Sequence, residues 1–116
     1  MDLRRLADRA GFVLIYPESL PIAGVADSFY WNPEPASKNN NRSSDDLDFI
    51  DAPLDQLGDP LQPYPAGTYA AGYSNGGMMA YALACCRSAR FAALVIQAGT
   101  MLADPPQPAN PTAERV

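Results

Sequence analysis

The chain has 116 residues, 47% of them hydrophobic, with twelve prolines and a formal net charge of −5. That length accommodates at most one domain, long enough to bury a core of its own. An acidic chain with a pI near 4.4 repels a nucleic-acid backbone, and no stretch approaches the roughly 20 apolar residues of a membrane span, so neither nucleic acid nor membrane is an expected partner.

The elements follow in chain order. "DLRRLADRAG" places Leu3, Leu6 and Ala10 on one helical face, with Asp2 as N-cap and Gly11 as the stop. The start of the chain lacks the apolar core of a secretory signal. "FVLIY" (12–16) is a continuous apolar run closed by Pro17, the pattern of a strand buried on both faces of a parallel sheet. Residues 17–44, rich in Pro, Asn and Ser, read as a long surface loop anchored by Tyr30 and Trp31. "NRS" at 41–43 fits a glycosylation acceptor, a pattern too short to carry weight.

"SSDDLDFIDAPLDQLG" (43–58) predicts a second helix. Leu47, Ile50, Leu54 and Leu57 form its apolar stripe, residues Ser43 to Asp46 cap its start, and Pro53 is expected to kink or shorten it. Asp45, Asp46 and Asp48 resemble a cation site, but acidic residues at a helix start are explained more simply by the helix dipole. "TYAAG" (68–72) is the next strand, Asn75 to about Ser88 the third helix, and "ALVIQAG" (93–99) the third strand. The adjacent Cys85 and Cys86 point about 100° apart on a helix, so pairing with each other is strained. They read as small half-buried thiols, with a disulfide to another partner as the second possibility, and neither has metal-ligand spacing. The alternation of helices and strands implies an α/β layer of about three parallel strands with flanking helices, over residues 1–101. Residues 102–116 read as a proline-rich tail or a truncated continuation.

Between the strand at 68–72 and the helix from Asn75 stands Gly72-Tyr73-Ser74-Asn75-Gly76, a G-x-S-x-G match at a strand-to-helix corner. A sharp turn there forces the serine into a strained conformation and lifts its hydroxyl above the sheet edge, at a cost of about 1–3 kcal/mol. Gly72 and Gly76 are expected to be small because strand and helix backbones approach closely, and the Asn75 N–H, at the helix start, faces a developing oxyanion. Two other readings compete: a flexible glycine turn whose serine caps the helix, and a phosphate-cradling loop. The phosphate loop fits poorly, because no Gly-Lys-Ser/Thr follows and G-x-G-x-x-G is not met.

Five blocks, "LADRAGFVLIYPE", "WN", "NNNRSSDDLDFIDA", "YAAGYSNGGMMAYALAC" and "RFAALVIQAGTM", resemble in that order the extracellular polyhydroxybutyrate depolymerases and feruloyl esterase-like proteins of the α/β-hydrolase fold. The resemblance covers most of residues 6–101, and "YSNGGMMAY" is its most specific piece. It implies a secreted carboxylic-ester hydrolase with a Ser-His-Asp triad, acting on a polyester or a plant cell-wall ester without a cofactor or metal. Ser74 falls on the nucleophile and the Asn75 N–H on one oxyanion donor, while Tyr73, Trp31 and Tyr30 are candidates for substrate contact.

The chain departs from that pattern in what it lacks. It contains no histidine, and the family order places the triad acid and base beyond the third strand. Asp104 follows that strand too closely to be the triad acid, Glu114 has no strand to position it, and Lys38, the only lysine, is a weak candidate for a Ser-Lys dyad. The resemblance further implies a second oxyanion donor from a loop upstream and a strand lying between "FVLIY" and "TYAAG" in the sheet. The chain is therefore read as the central part of an ester hydrolase, inactive alone because a serine without a base is a poor nucleophile. The competing expectations are a non-catalytic binding or scaffold protein and one half of a split enzyme.

Overall fold

The computed structural model describes residues 2–22, 24–33, 46–61 (side chains through 57) and 67–101. The "NRS" match, Lys38, Asp45, Asp104, Glu114 and the whole of 102–116 lie outside them. Helix α1 spans Leu3–Ala10, α2 Asp46–Leu61 and α3 Asn75–Cys86, while strands β1 and β2 span Thr68–Tyr73 and Phe91–Gln97. A 3-10 turn at Ser88–Arg90 leads into β2.

α1 forms as its caps dictate. The Asp2 carboxylate accepts from the Arg4 N–H at 3.1 Å, and Gly11, at φ 73°, ends the helix with its N–H on the Ala7 carbonyl. A left-handed residue at that position suits glycine. Only Ala7 of this helix is buried; Leu6, expected on the packed face, is exposed.

The apolar run that follows departs from its expectation. Residues 12–16 form no strand, and Val13 is 56% exposed. A strand exists through hydrogen bonds to a neighbour. Among the described residues the sheet has two strands, β1 and β2, and nothing pairs with 12–16. The expected three-stranded layer is thus two-stranded here. Further on, the loop holds a small antiparallel turn: Pro21 bridges Phe29, the Ile22 N–H donates to the Ser28 carbonyl at 2.7 Å, and the Tyr30 N–H donates to Leu20.

α2 carries the expected stripe, with Leu47 buried and Ile50, Leu54 and Leu57 half-buried. It does not stop at Pro53, however, and runs on to Leu61. Proline deletes the hydrogen bond to the Phe49 carbonyl, but ion pairs on both sides of it hold the helix to the chain beyond α3. Asp48 and Asp51 pair with Arg87, and Asp51 and Asp55 pair with Arg90. The hydrogen bond that Arg87 donates to Asp51, and the charges of Asp51 and Asp48, outweigh burial and raise the pKa of Arg87 above its ordinary value.

β1 and β2 run parallel, with Tyr69 opposite Ala93 and Tyr73 opposite Gln97, after a register shift between Thr68 and Tyr69. α3 connects them and lies on one sheet face. Its Met79, Ala82 and Leu83 join Leu47 in the core, against which Trp31, Ile50, Ala70, Cys86, Phe91 and Leu94 pack. Burying Leu47, Met79 and Leu83 stabilises by about 1.5–3 kcal/mol each. The other sheet face presents Tyr69, Tyr73 and Val95, all exposed. Cys85 and Cys86 are half-buried and form no disulfide with each other. The fold is a small α/β unit with a β-α-β centre.

Candidate functional site

β1 ends at Tyr73 and α3 begins at Asn75, so a single residue, Ser74, makes the whole turn. It does so at φ 53°, ψ −116°. A non-glycine residue in the positive-φ region costs on the order of 1–3 kcal/mol and persists only where its surroundings fix it. Here they do: the Ser74 N–H donates to the Gln97 carbonyl at the end of β2 at 2.9 Å, and its carbonyl accepts from the Met78 N–H at 3.0 Å. Both backbone groups of the corner residue are thereby committed, one to the sheet and one to the helix.

The Ser74 side chain is exposed and makes no capping hydrogen bond to α3. The role of a plain capping serine, one of the competing readings of this turn, is not the one its hydroxyl takes here. Asn75 is the first residue of α3, so its N–H has no intrahelical acceptor and points out of the helix start with the positive end of the helix dipole behind it. A hydroxyl at a helix N-terminus beside such an N–H can attack a carbonyl carbon and have the resulting oxyanion met by the amide. The sequence has no histidine to take the proton of that hydroxyl.

The glycines divide differently from expectation. A Cβ on Gly72 would lie 2.0 Å from the Gly76 carbonyl oxygen and 2.7 Å from the Gly77 nitrogen, so no side chain fits there. Gly76 is different. A Cβ on it meets nothing within 4 Å, and its smallness is not demanded by space; it is the Gly76 backbone that crowds Gly72. The second tight contact is one the motif does not announce. Gly77 and Gly99 touch, with a Cβ on Gly99 falling 2.7 Å from the Gly77 carbonyl carbon and one on Gly77 falling 3.0 Å from the Gly99 Cα. Ala98, just before, takes φ 52°. The doublet Gly76-Gly77 and the "AG" closing the strand were the available signals. α3 is thus seated on the ends of β1 and β2 by backbone-to-backbone contact at two places.

Tyr73, beside the serine, is 69% exposed at the sheet end. Trp31 is placed otherwise. Its ring packs against the core and stands 6.3 Å from the Phe49 ring at 35°, while its backbone reaches the elbow: the Trp31 N–H donates to Asn75 Oδ1 at 2.7 Å, and Asn75 Nδ2 donates back to the Trp31 carbonyl at 3.2 Å. Tyr30 is half-buried. One residue on, the Asn32 N–H donates to Asp46 Oδ2 at 2.7 Å, with Asn32 at 0% and Asp46 at 4% exposure. Asp46 and Asp48, considered above as cation ligands, are occupied by Asn32 and Arg87, and no group of acidic, His or Cys side chains among the described residues is arranged to hold a metal. Nor is any helix among those residues long and apolar enough to cross a membrane.

The chain is 37% identical over 110 residues to the protein named "Putative esterase NocK" of Nocardia uniformis subsp. tsuyamanensis, an alignment covering 95% of this chain and 30% of that protein. It is 42% identical over 62 residues to feruloyl esterase C of Emericella nidulans, covering 53% of this chain and 23% of the relative. By sequence, the chain is similar to part of these esterases. A protein named probable feruloyl esterase C, from Aspergillus niger, is 36% identical over a 62-residue stretch. The chain spans less than a third of the length of these esterase relatives. No family model matches it, and no solved structure matches it significantly.

Proposed function

We propose that this chain carries the nucleophile-bearing centre of a serine carboxylic-ester hydrolase of the α/β-hydrolase fold. Ser74 is the nucleophile, the Asn75 backbone N–H is one oxyanion donor, and Gly72 is the close-contact glycine that lets strand and helix meet. The observation that carries this reading is the backbone of Ser74: a strained, positive-φ corner held from both sides, with a hydroxyl that does nothing for the helix. Kinship with esterases supports the same chemistry.

In such an enzyme the Ser74 oxygen attacks the ester carbonyl while a base takes its proton; the carbonyl oxygen, now negative, is held by the Asn75 N–H; the alcohol leaves and water releases the acid. With no imidazole among these 116 residues, the hydroxyl keeps its proton. The chain alone is essentially inactive, and a base and an acid from a longer polypeptide complete it. Residues 1–101 are then the central part of the hydrolase domain and 102–116 a proline-rich tail or its truncated continuation. The open face and outer edge of β1 are where further helix and strand pack, and 12–16 becomes a strand once a neighbour lies beside it. The substrate class is a polyester of the hydroxyalkanoate kind or a feruloyl or acetyl ester of plant cell wall, met outside the cell, with Tyr73 at the mouth of the site.

The test is labelling with a fluorophosphonate, which reacts with activated serines. The 116-residue chain, its Ser74→Ala variant and a polypeptide extended at both ends along the reading frame are compared. Only the extended form is expected to label, and its Ser74→Ala variant is expected not to. Equal labelling of the short and extended chains would refute the missing-base reading, and labelling that survives Ser74→Ala would refute the nucleophile.

A further inference from the structure

The side chain of Asn75 has a part in this site distinct from its backbone. Its carboxamide pairs with the backbone of one residue 44 positions away, accepting from the Trp31 N–H and donating to the Trp31 carbonyl. At neutral pH the side chain with donor and acceptor side by side that makes this two-point contact is Asn or Gln. The peptide that carries the Trp31 carbonyl is held at its other end too, its Asn32 N–H donating to the buried Asp46 carboxylate. Residues 31 and 32 therefore form a strap whose successive backbone amides are held by side chains at the starts of α3 and α2, with the Trp31 ring seated in the core between those helices.

The strap meets the elbow at its weakest point. The peptide joining Ser74 to Asn75 is the strained one, since the unusual ψ of Ser74 sets its plane. Strain of that kind relaxes unless the structure opposes it from both sides. On the Ser74 side the bond to Gln97 does so; on the Asn75 side the carboxamide does.

We infer that the Asn75 side chain is a positioning group: by clamping the Trp31–Asn32 strap to the elbow, it fixes the direction in which the Asn75 backbone N–H faces the Ser74 hydroxyl. The catalytic part of this inference rests on Ser74 being the nucleophile; the clamp itself does not.

Trp31 is the only tryptophan in the chain, so its emission reports the strap directly in the full 116-residue protein. Asn75→Ala removes both hydrogen bonds and is expected to enlarge the undocked fraction about tenfold, seen as red-shifted emission and steeper acrylamide quenching with the circular dichroism of the helices retained. Asn75→Asp keeps an acceptor for the Trp31 N–H but sets a charged oxygen against the Trp31 carbonyl. Relative to wild type at each pH, it should resemble Asn75→Ala at neutrality and recover wild-type quenching in acid, where the protonated carboxyl again donates. Asn75→Ala itself should show no such recovery. Unchanged emission and quenching in Asn75→Ala, or an Asn75→Asp variant that acid does not rescue, would overturn the clamp. In the extended polypeptide, Asn75→Ala should slow fluorophosphonate labelling of Ser74 about tenfold or more. An undiminished rate with shifted fluorescence would overturn the positioning role. Absence of label on Ser74 in every form refutes the nucleophile and leaves the fluorescence measurements to decide the clamp.

Discussion

Gly72→Ala is the most informative single change to the elbow. The added Cβ would sit 2.0 Å from the Gly76 carbonyl oxygen, 2.3 Å from its carbonyl carbon and 2.7 Å from the Gly77 nitrogen. Real Cβ atoms essentially never come within 3.0 Å of such neighbours, so α3 must retreat from β1 by at least about 1 Å, against backbone atoms that cannot rotate away. Gly77, the very next residue, already touches Gly99, and the shift therefore spreads to the end of β2. Overpacking of this kind costs typically about 1–3 kcal/mol, and a clash with backbone belongs at the upper end. At about 4–8 °C per kcal/mol for a domain near this size, the melting midpoint should fall by roughly 10–20 °C. Thermal unfolding followed by circular dichroism measures it, with Gly76→Ala as the paired control. A Cβ at Gly76 meets nothing within 4 Å, and alanine is favoured over glycine inside a helix by about 0.5–1 kcal/mol, so that variant should melt at or above the wild-type temperature. A Gly72→Ala protein that melts like wild type, or a Gly76→Ala protein equally damaged, would refute the close-approach reasoning.

Ser74→Gly should raise stability by about 1 kcal/mol by relieving the positive φ, measured by denaturant unfolding, whereas Ser74→Ala, which keeps the strain, should leave it nearly unchanged. Asp51→Asn should cost about 2–3 kcal/mol because Asp51 is 14% exposed and serves both Arg87 and Arg90; Asp55→Asn, at an exposed carboxylate, should cost under about 1 kcal/mol in the same melts. The pKa of Arg87 is raised by its hydrogen bond to Asp51, and a base raised in the folded state stabilises fully below its unfolded value and loses that contribution only as pH climbs through the folded one. Both lie far above neutrality, so the stability difference between wild type and Arg87→Met should stay flat from about pH 7 to 9. A slope across that window would show that the ion pairs titrate otherwise.

Much of this fold was legible in the residues, because it is governed by local rules. Asp2 and Gly11 bracket α1 through caps that act within one turn, Leu47, Ile50, Leu54 and Leu57 mark the inner face of α2 by spacing alone, and the β-α-β order follows from apolar runs on either side of "GYSNGG". The misses are non-local. Residues 12–16 have a strand's composition, but being a strand depends on a neighbour that composition does not supply. Pro53 would end or kink an isolated helix; Arg87 and Arg90, outside α2, hold it through Asp51 and Asp55 on either side of the proline. The site divides in the same way. The corner at Ser74 was visible as a motif, and the crowding at Gly72 with it. The open space at Gly76, the contact of Gly77 with Gly99, the Asp46 carboxylate turned to Asn32 and the carboxamide of Asn75 turned to Trp31 all depend on which segments meet in three dimensions.

The most direct measurement is to catch the covalent intermediate. The extended polypeptide is mixed with an activated short-chain ester, quenched in acid within the first turnovers and digested, and the peptide containing residue 74 is weighed. It should carry one acyl group, on Ser74, while the 116-residue chain treated alike carries none. An acyl group on another residue of the extended protein, or turnover of the ester with residue 74 replaced by alanine, would contradict the assignment of the nucleophile.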